Sequence, residues 1–219
     1  MTLWPSPPAT RSLPPGEVHL WRIPLTPSAE EFSLLHTLLS SDELQRAERL
    51  LDRRKAQDFI VGRGRLRQIL ASYLHVDPAA MALTCGKHGK PALTGNALQF
   101  NLSHSGDWAL LALRADAAIG VDLERIDPAL DYKVLTTRFF TAAENALLLA
   151  APIAQRRRRF YRLWTRKEAL LKGQGQGFSG SAEDEAGDWQ WQTFWLAPGY
   201  VGTMASEGEI LALRRWQVG

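Results

Sequence analysis

Phe160-Tyr-Arg-Leu-Trp-Thr-Arg-Lys-Glu-Ala-Leu-Leu-Lys172 reads as the later part of one helix. From Gln155 to Lys172 there is neither Pro nor Gly, and Leu, Ala, Lys, Arg, Gln and Glu, all good helix formers, dominate. Gly173, Gly175 and Gly177 follow and predict the stop. On such a helix Trp164, Lys167, Glu168, Leu171 and Lys172 fall at i, i+3, i+4, i+7 and i+8 and share one face. A stripe meant only for a core would not carry Glu168 and Lys167 beside Trp164. One meant only for water would not carry Trp164 and Leu171. Alone, the face also suits an ordinary amphipathic helix with an i,i+4 Glu168–Lys172 pair worth about 0.2–0.5 kcal/mol.

A second stretch gives that helix something to face. Ala118-Ile-Gly-Val-Asp-Leu-Glu-Arg-Ile126 alternates apolar and charged residues with the period of a strand. Asp122 and Glu124 are two residues apart, so both carboxylates leave one face of the pleat, about 6.7 Å apart along the strand. Val121 and Leu123 supply the apolar side, and Gly120 leaves room for another backbone or a ligand beside the first carboxylate. Two like charges on one face repel unless a cation lies between them. A third carboxylate from a facing helix would complete an oxygen-rich site for a hard divalent ion such as Mg2+, and Glu168 is the best-placed candidate. The same pair also reads as a solvated strand edge, with Glu124 answered by Arg125.

Length and composition bound the rest. The 219 residues suit one large domain or two small ones, and 45% hydrophobic residues are enough for a sizeable core. Lys and Arg number 26 against 23 Asp and Glu, a formal charge of +3. That is too weak to argue for nucleic acid, though it suits an acidic protein partner or a phosphorylated ligand. The single cysteine, Cys85, excludes an intramolecular disulfide and a cysteine-based zinc site, and fits a reducing compartment. No apolar run reaches the roughly 18 residues of a membrane span. These features predict a soluble cytoplasmic protein without membrane contact.

Along the chain, residues 1–16 hold five prolines and predict a flexible or extended arm. Glu17 to Ile23 alternates as a strand, and Ser28 to Leu39 suggests a short helix. Ser40-Ser-Asp-Glu43 opens a helical pattern that runs as two helices towards Leu74. Arg46, Arg49, Arg53, Arg54, Lys55, Arg63, Arg65 and Arg67 make it a basic, solvated face with an anion site somewhere on it. Cys85 to Leu93 is expected to be a loop in which Gly86, Lys87, Gly89 and Lys90 converge on an anion. Its spacing is not that of a Walker A loop. Ser103-His104-Ser105-Gly106 reads as a polar connection before an apolar strand from Trp108 to Leu113. No Gly-x-Ser-x-Gly elbow is present, which disfavours a serine hydrolase. Thr141-Ala-Ala-Glu144 is a capping box opening a further helix. Trp189 to Trp195, Tyr200 to Met204 and Ile210 to Trp216 alternate as strands and predict a closing antiparallel sheet. The layout is two halves, 17–115 and 116–219, each of helices plus an antiparallel sheet, with the seam between Leu113 and Ile119.

Four stretches together resemble one family. Gly120-Val-Asp-Leu-Glu124 resembles the Gly-(Ile/Val)-Asp-(Ile/Leu)-Glu motif of the Sfp-type 4′-phosphopantetheinyl transferases. Leu163 to Lys172 resembles their Trp-x-x-Lys-Glu-Ala-x-x-Lys motif, and Gly89-Lys-Pro91 and Asn101-Leu-Ser-His-Ser105 resemble two more, all in the family's order. The resemblance covers roughly Ser41 to Phe178. It implies an α+β fold, a pseudo-twofold arrangement of two similar helix-plus-antiparallel-sheet halves, with coenzyme A in the cleft between them. It implies transfer of phosphopantetheine from coenzyme A to a serine of an apo acyl or peptidyl carrier protein, releasing 3′,5′-ADP, by a monomer that binds no nucleic acid. Asp122, Glu124 and Glu168 would hold Mg2+, or Mn2+. Lys172 would neutralise charge on the pyrophosphate, and Glu168 or a water at the metal would take the serine proton. Ser103 and His104 would contact the nucleotide phosphates. Lys90 and Pro91, with Lys87 and Gly89 in the same loop, would contact the nucleotide. Arg46, with Arg54 next, is the candidate for the 3′-phosphate. Two other readings compete: a Mg2+-dependent phosphohydrolase acting on a nucleotide, and a basic nucleic-acid-binding module, which leaves the three carboxylates without a task.

Overall fold

The computed structural model describes residues 4–85, 90–95, 98–175 and 187–218. Helix starts follow the capping residues. Ser28 and Ser40 each form a capping box, with Glu31 and Glu43, and open α1 (Ala29–Thr37) and α2 (Ser41–Glu48). Asp52 accepts from Arg54 and Lys55 backbone N–H groups and opens α3 (Arg53–Leu74). Thr141 and Glu144 do the same for α5 (Ala142–Leu149), after α4 (Tyr132–Phe139), which the sequence reading did not anticipate. The long helix α6 runs Ile153–Gln174, and Gly175 ends it in the left-handed region at φ +71°. Gly177 lies outside the described residues. Among the described residues no helix is long and apolar enough to cross a membrane.

The strands are β1 (Glu17–Pro24), β2 (Leu83–Cys85), β3 (Pro91–Leu93), β4 (Gln99–Ser105), β5 (Trp108–Arg114), β6 (Ile119–Arg125), β7 (Trp189–Ala197), β8 (Tyr200–Glu207) and β9 (Ala212–Gln217). One sheet has the order β4-β5-β1-β9 and a second the order β6-β8-β7, with β2 and β3 a small separate hairpin.

Alternation sets the layers. In β1 and β5, Trp21, Ile23, Leu111 and Leu113 face α3, where Leu66 and Leu70 meet them. Val18, Leu20, Leu110 and Ala112 leave the opposite face and pack on Val121, Leu123, Phe194 and Met204 of the second sheet. The outer side of that second sheet carries α6, whose Phe160, Tyr161 and Trp164 cluster with Val201. The order through the molecule is α3, first sheet, second sheet, α6, an α+β architecture with a helix on the outer face of each sheet.

Four expectations are corrected. The strand from Ala212 does not close the second sheet: β9 leaves it and pairs in parallel with β1, Val18 opposite Leu213 and Trp21 opposite Trp216. The first sheet is therefore mixed, and the 116–219 segment is not closed upon itself. The N-terminal arm is docked rather than flexible. Trp4 is buried 6.0 Å from the Phe194 ring, and the Pro5 carbonyl accepts from the Gln217 N–H at 2.9 Å. Burial of one large indole outweighs the arm's polar, proline-rich composition. Ser103 to Ser105 belong to β4, not to a connection; the turn is Gly106-Asp107. The basic stretch is not uniformly solvated, since Arg63 and Arg67 are buried on Glu43 and Arg65 pairs with Glu31.

Gly120 decides how close α6 lies to β6. A Cβ there would overlap the Ala169 carbonyl oxygen and the backbone of Gly173, neither of which is a flexible side-chain end. The open spot read from the sequence is filled by a helix backbone. Gly120→Ala is expected to destabilise the protein by about 1–3 kcal/mol, because α6 must lift off the strand. A denaturant midpoint unchanged from the parent would contradict this packing.

Candidate active site

On β6 the residues facing the first sheet are Ile119, Val121 and Leu123, so Asp122 and Glu124 turn towards α6. The close α6–β6 approach brings Glu168 and Lys172, one turn apart, against them. The Lys172 ammonium donates to Asp122 Oδ1 at 2.5 Å and to Ser103 Oγ at 3.1 Å. Glu168 and Asp122 are both buried, and Trp164 hydrogen-bonds Glu124.

The third contributor is β4, beside β6 but in another sheet. Its Asn101, Ser103 and Ser105 sit at i, i+2 and i+4 and leave one face. Asn101 Oδ1 accepts from Val121 N–H at 2.8 Å, Ser103 Oγ from Leu123 N–H at 3.3 Å, and Ser105 Oγ from Arg125 N–H at 3.0 Å. Side chains thus replace the ladder that an adjacent strand would supply. The two hydroxyls also hold the carboxylates: Ser103 donates to Asp122 Oδ1 at 3.0 Å and Ser105 to Glu124 Oε2 at 3.2 Å.

The cluster is short of positive charge. Burial first, and then the Asp122 charge, push Glu124 up to about 7, against the opposing pull of the Ser105 hydroxyl, Lys172 and Trp164. Burial and Asp122 likewise push Glu168 up to about 7, with Lys172 acting the other way. Asp122 Oδ2 is buried with no hydrogen-bond partner among the described residues. A buried carboxylate oxygen without a donor is costly, and three carboxylates crowded on one ammonium are the donor set of a hard divalent cation. The residues fit such an ion chemically. Among the described residues no three His, Cys, Asp or Glu side chains stand in an arrangement that could hold a metal ion as placed, and Asp122 Oδ1 is taken by Lys172.

The raised carboxyls carry a pH signature. In the unfolded chain both would ionise near 4.5, whereas in the fold they hold their protons to about 7. Between those values the folded protein binds more protons than the unfolded one, so raising the pH through this window removes stability. Without added metal, Tm is expected to fall by several degrees between about pH 5 and about pH 8, and less in Glu168→Gln. A Tm that rises or stays flat across the window would contradict the crowded cluster.

Other expected contacts are placed differently. The Lys90 ammonium donates to the carbonyls of Ile119 at 3.2 Å, Lys172 at 2.8 Å and Gly173 at 3.4 Å. These bonds tie the β2–β3 hairpin to the end of α6. Pro91 lies on β3 opposite Cys85. Lys87 and Gly89 lie outside the described residues. Ser103 gives its one proton to Asp122 Oδ1. His104 leaves the other face of β4, exposed, within electrostatic reach of Asp58 and Lys172. Arg54 pairs with Asp58 at 2.8 Å and with Asp107 at 3.1 Å, near that end of β4. Arg46 is exposed over the Phe59 ring at 5.2 Å, and no contact joins it to the carboxylates. The sequence reading singles out neither Ser105 nor Trp164, which hold Glu124, nor Asn101, which joins β4 to the β6 backbone. The matched two-residue spacing of Asn101-x-Ser103-x-Ser105 against Val121-x-Leu123-x-Arg125 was the available signal.

Comparison with known proteins adds an independent line. Residues 118–210 match the model of the 4′-phosphopantetheinyl transferase superfamily, and residues 24–116 match that of the 4′-phosphopantetheinyl transferase N-terminal region. The chain is 41% identical to 4′-phosphopantetheinyl transferase HetI of a Nostoc species, over 83% of this chain and 78% of that protein. It is 28% identical to 4′-phosphopantetheinyl transferase Sfp of Bacillus subtilis, over 69% of this chain and 67% of that one. It is 42% identical to 4′-phosphopantetheinyl transferase AcpT of Salmonella typhimurium, over 41% of this chain and 47% of that one.

Proposed function

Since the chain belongs to the 4′-phosphopantetheinyl transferase superfamily and is an enzyme that transfers phosphopantetheine to carrier proteins, we propose that coenzyme A is its donor and that it works with Mg2+, releasing 3′,5′-ADP. The observation that carries the metal assignment is the buried, partnerless Asp122 Oδ2 beside Glu124 and Glu168. Asp122, Glu124 and Glu168 would hold the ion. When bound, Mg2+ supplies a Lewis acid at the pyrophosphate and a template for in-line attack.

The chain's own groups supply the remainder. Lys172, anchored on Asp122 and Ser103, offsets negative charge on the pyrophosphate oxygens. Glu168, or a water at the metal, would take the proton of the incoming serine. His104 and Arg54, together at one end of β4, are our assignment for nucleotide phosphates, Arg54 exchanging Asp58 and Asp107 for them. The formal charge of +3 suits an acidic carrier surface, and the lone cysteine suits a reducing, cytoplasmic compartment.

The test is to incubate the protein with coenzyme A, Mg2+ and apo carrier proteins of several types, then weigh the carriers. One carrier should gain the phosphopantetheine mass only when both coenzyme A and Mg2+ are present. A gain that survives complete chelation would overturn the metal assignment, and no gain on any carrier would overturn the choice of donor.

A further inference from the structure

We infer that Ser105 is a positioning residue for metal binding: from β4 its hydroxyl fixes the Glu124 carboxylate in the one orientation in which it can share an ion with Asp122 and Glu168. The inference rests on the assignment of those three carboxylates to Mg2+ above.

Glu124 stands on an edge strand and at the half-buried end of the cluster. A glutamate has three side-chain torsions, and left to itself this one would spread over several rotamers. Two donors restrain it. Trp164 reaches it from α6, and Ser105 donates to Oε2 at 3.2 Å from the opposite sheet. The serine is itself keyed in place, since its oxygen accepts the Arg125 N–H at 3.0 Å, next to the residue it holds. Its single proton has no geometric choice but the carboxylate. Ser103 plays the equivalent part for Asp122, but it also receives Lys172, so a change there would disturb several groups at once. Among the described residues the Ser105 hydroxyl bonds Glu124 and the β6 backbone, so it can be varied cleanly. Groups that orient a metal ligand from behind are commonly worth 10- to 100-fold in metal affinity.

A structural role and a positioning role separate because the comb has a third tooth. Asn101 is buried and accepts the Val121 N–H at 2.8 Å, yet it holds no carboxylate. It stitches the sheets without orienting a ligand.

The experiment measures the affinity of the full chain for Mn2+ alone, counting free ion by electron paramagnetic resonance, alongside Tm. Ser105→Ala is expected to weaken Mn2+ by about tenfold or more. Ser105→Thr, which keeps the hydroxyl, should stay within about threefold of the parent. Asn101→Ala should lower Tm while leaving Mn2+ affinity at the parental level. Ser105→Ala binding within about twofold of the parent would overturn the inference, as would an Asn101→Ala protein that loses Mn2+ to the same extent, since loosened sheets would then explain both. A parent chain that binds no Mn2+ would overturn the carboxylate assignment as well.

Discussion

Asp122→Ala is expected to slow phosphopantetheine transfer by about a thousandfold or more while leaving the fold in place. The argument counts what meets at this carboxylate. Oδ1 takes both the Lys172 ammonium and the Ser103 hydroxyl, and Oδ2 waits, buried, for a partner. Removing the group deletes one of three proposed ligands and releases Lys172 from its anchor. A divalent ion at a phosphoryl centre contributes several kcal/mol, and about 4 kcal/mol corresponds to roughly three powers of ten in rate. The fold should tolerate the change, because Asp122 repels Glu124 and Glu168 and its loss relieves both. Their titration should move down towards the ordinary glutamate range, and the fall of Tm with pH should shrink. Asp122→Asn keeps the shape and the Ser103 contact, and it should be almost as inactive, because charge is what matters. The readings are carrier mass against time and a thermal melt. An Asp122→Ala enzyme that keeps more than about a tenth of parental activity would sink the proposed mechanism.

Glu43→Ala is expected to cost about 3–5 kcal/mol of stability, the largest effect of any single substitution away from the site. One carboxylate serves three masters. Oε2 pairs with Arg67 Nε at 2.8 Å and Oε1 with Arg63 Nε at 3.5 Å, and both guanidinium groups are buried. The same Oε2 caps α2 by accepting the Ser40 N–H at 2.9 Å. Arg67 is further held by the carbonyls of Pro78 and Met81, each at 2.9 Å, so it cannot swing into water when its partner goes. Truncating Glu43 leaves a buried cation uncompensated and uncaps a helix in one step. Glu43→Gln keeps the cap and some hydrogen bonding, so it should fall between parent and alanine. Urea unfolding followed by circular dichroism gives the order. A loss below about 1 kcal/mol for the alanine variant would mean that Arg67 is rehydrated by local opening.

Sequence patterning reached the two elements that carry the proposed site, β6 and α6, because both have strong periods. The alternation around Asp122 and Glu124 and the face shared by Trp164, Glu168 and Lys172 are local properties, and the fold keeps both. The same face misled in detail: Lys167 goes to Glu144 at 3.1 Å, and Lys172 pairs with Asp122 across the fold rather than settling for its helical neighbour Glu168. The failures share one cause, a partner distant in the chain. Ser103, His104 and Ser105 look like a loop by composition, and nothing local shows that two of their side chains will answer backbone N–H groups about twenty residues on. Arg63 and Arg67 look like surface charge until Glu43 is folded over them. The departure of β9 from its neighbours carries no local mark, since alternation says that a strand forms and not which edge it joins.

The parallel union of β1 with β9 has a consequence for biogenesis. The strand on the outer side of β1, β9, follows in the chain every element that the second sheet needs. Until then the early sheet emerges with a raw border along Val18 to Arg22, able to recruit any extended stranger. Closure of the sheet built on β1 must therefore wait for synthesis of β9, and a chain cut before Ala212 would leave that border open.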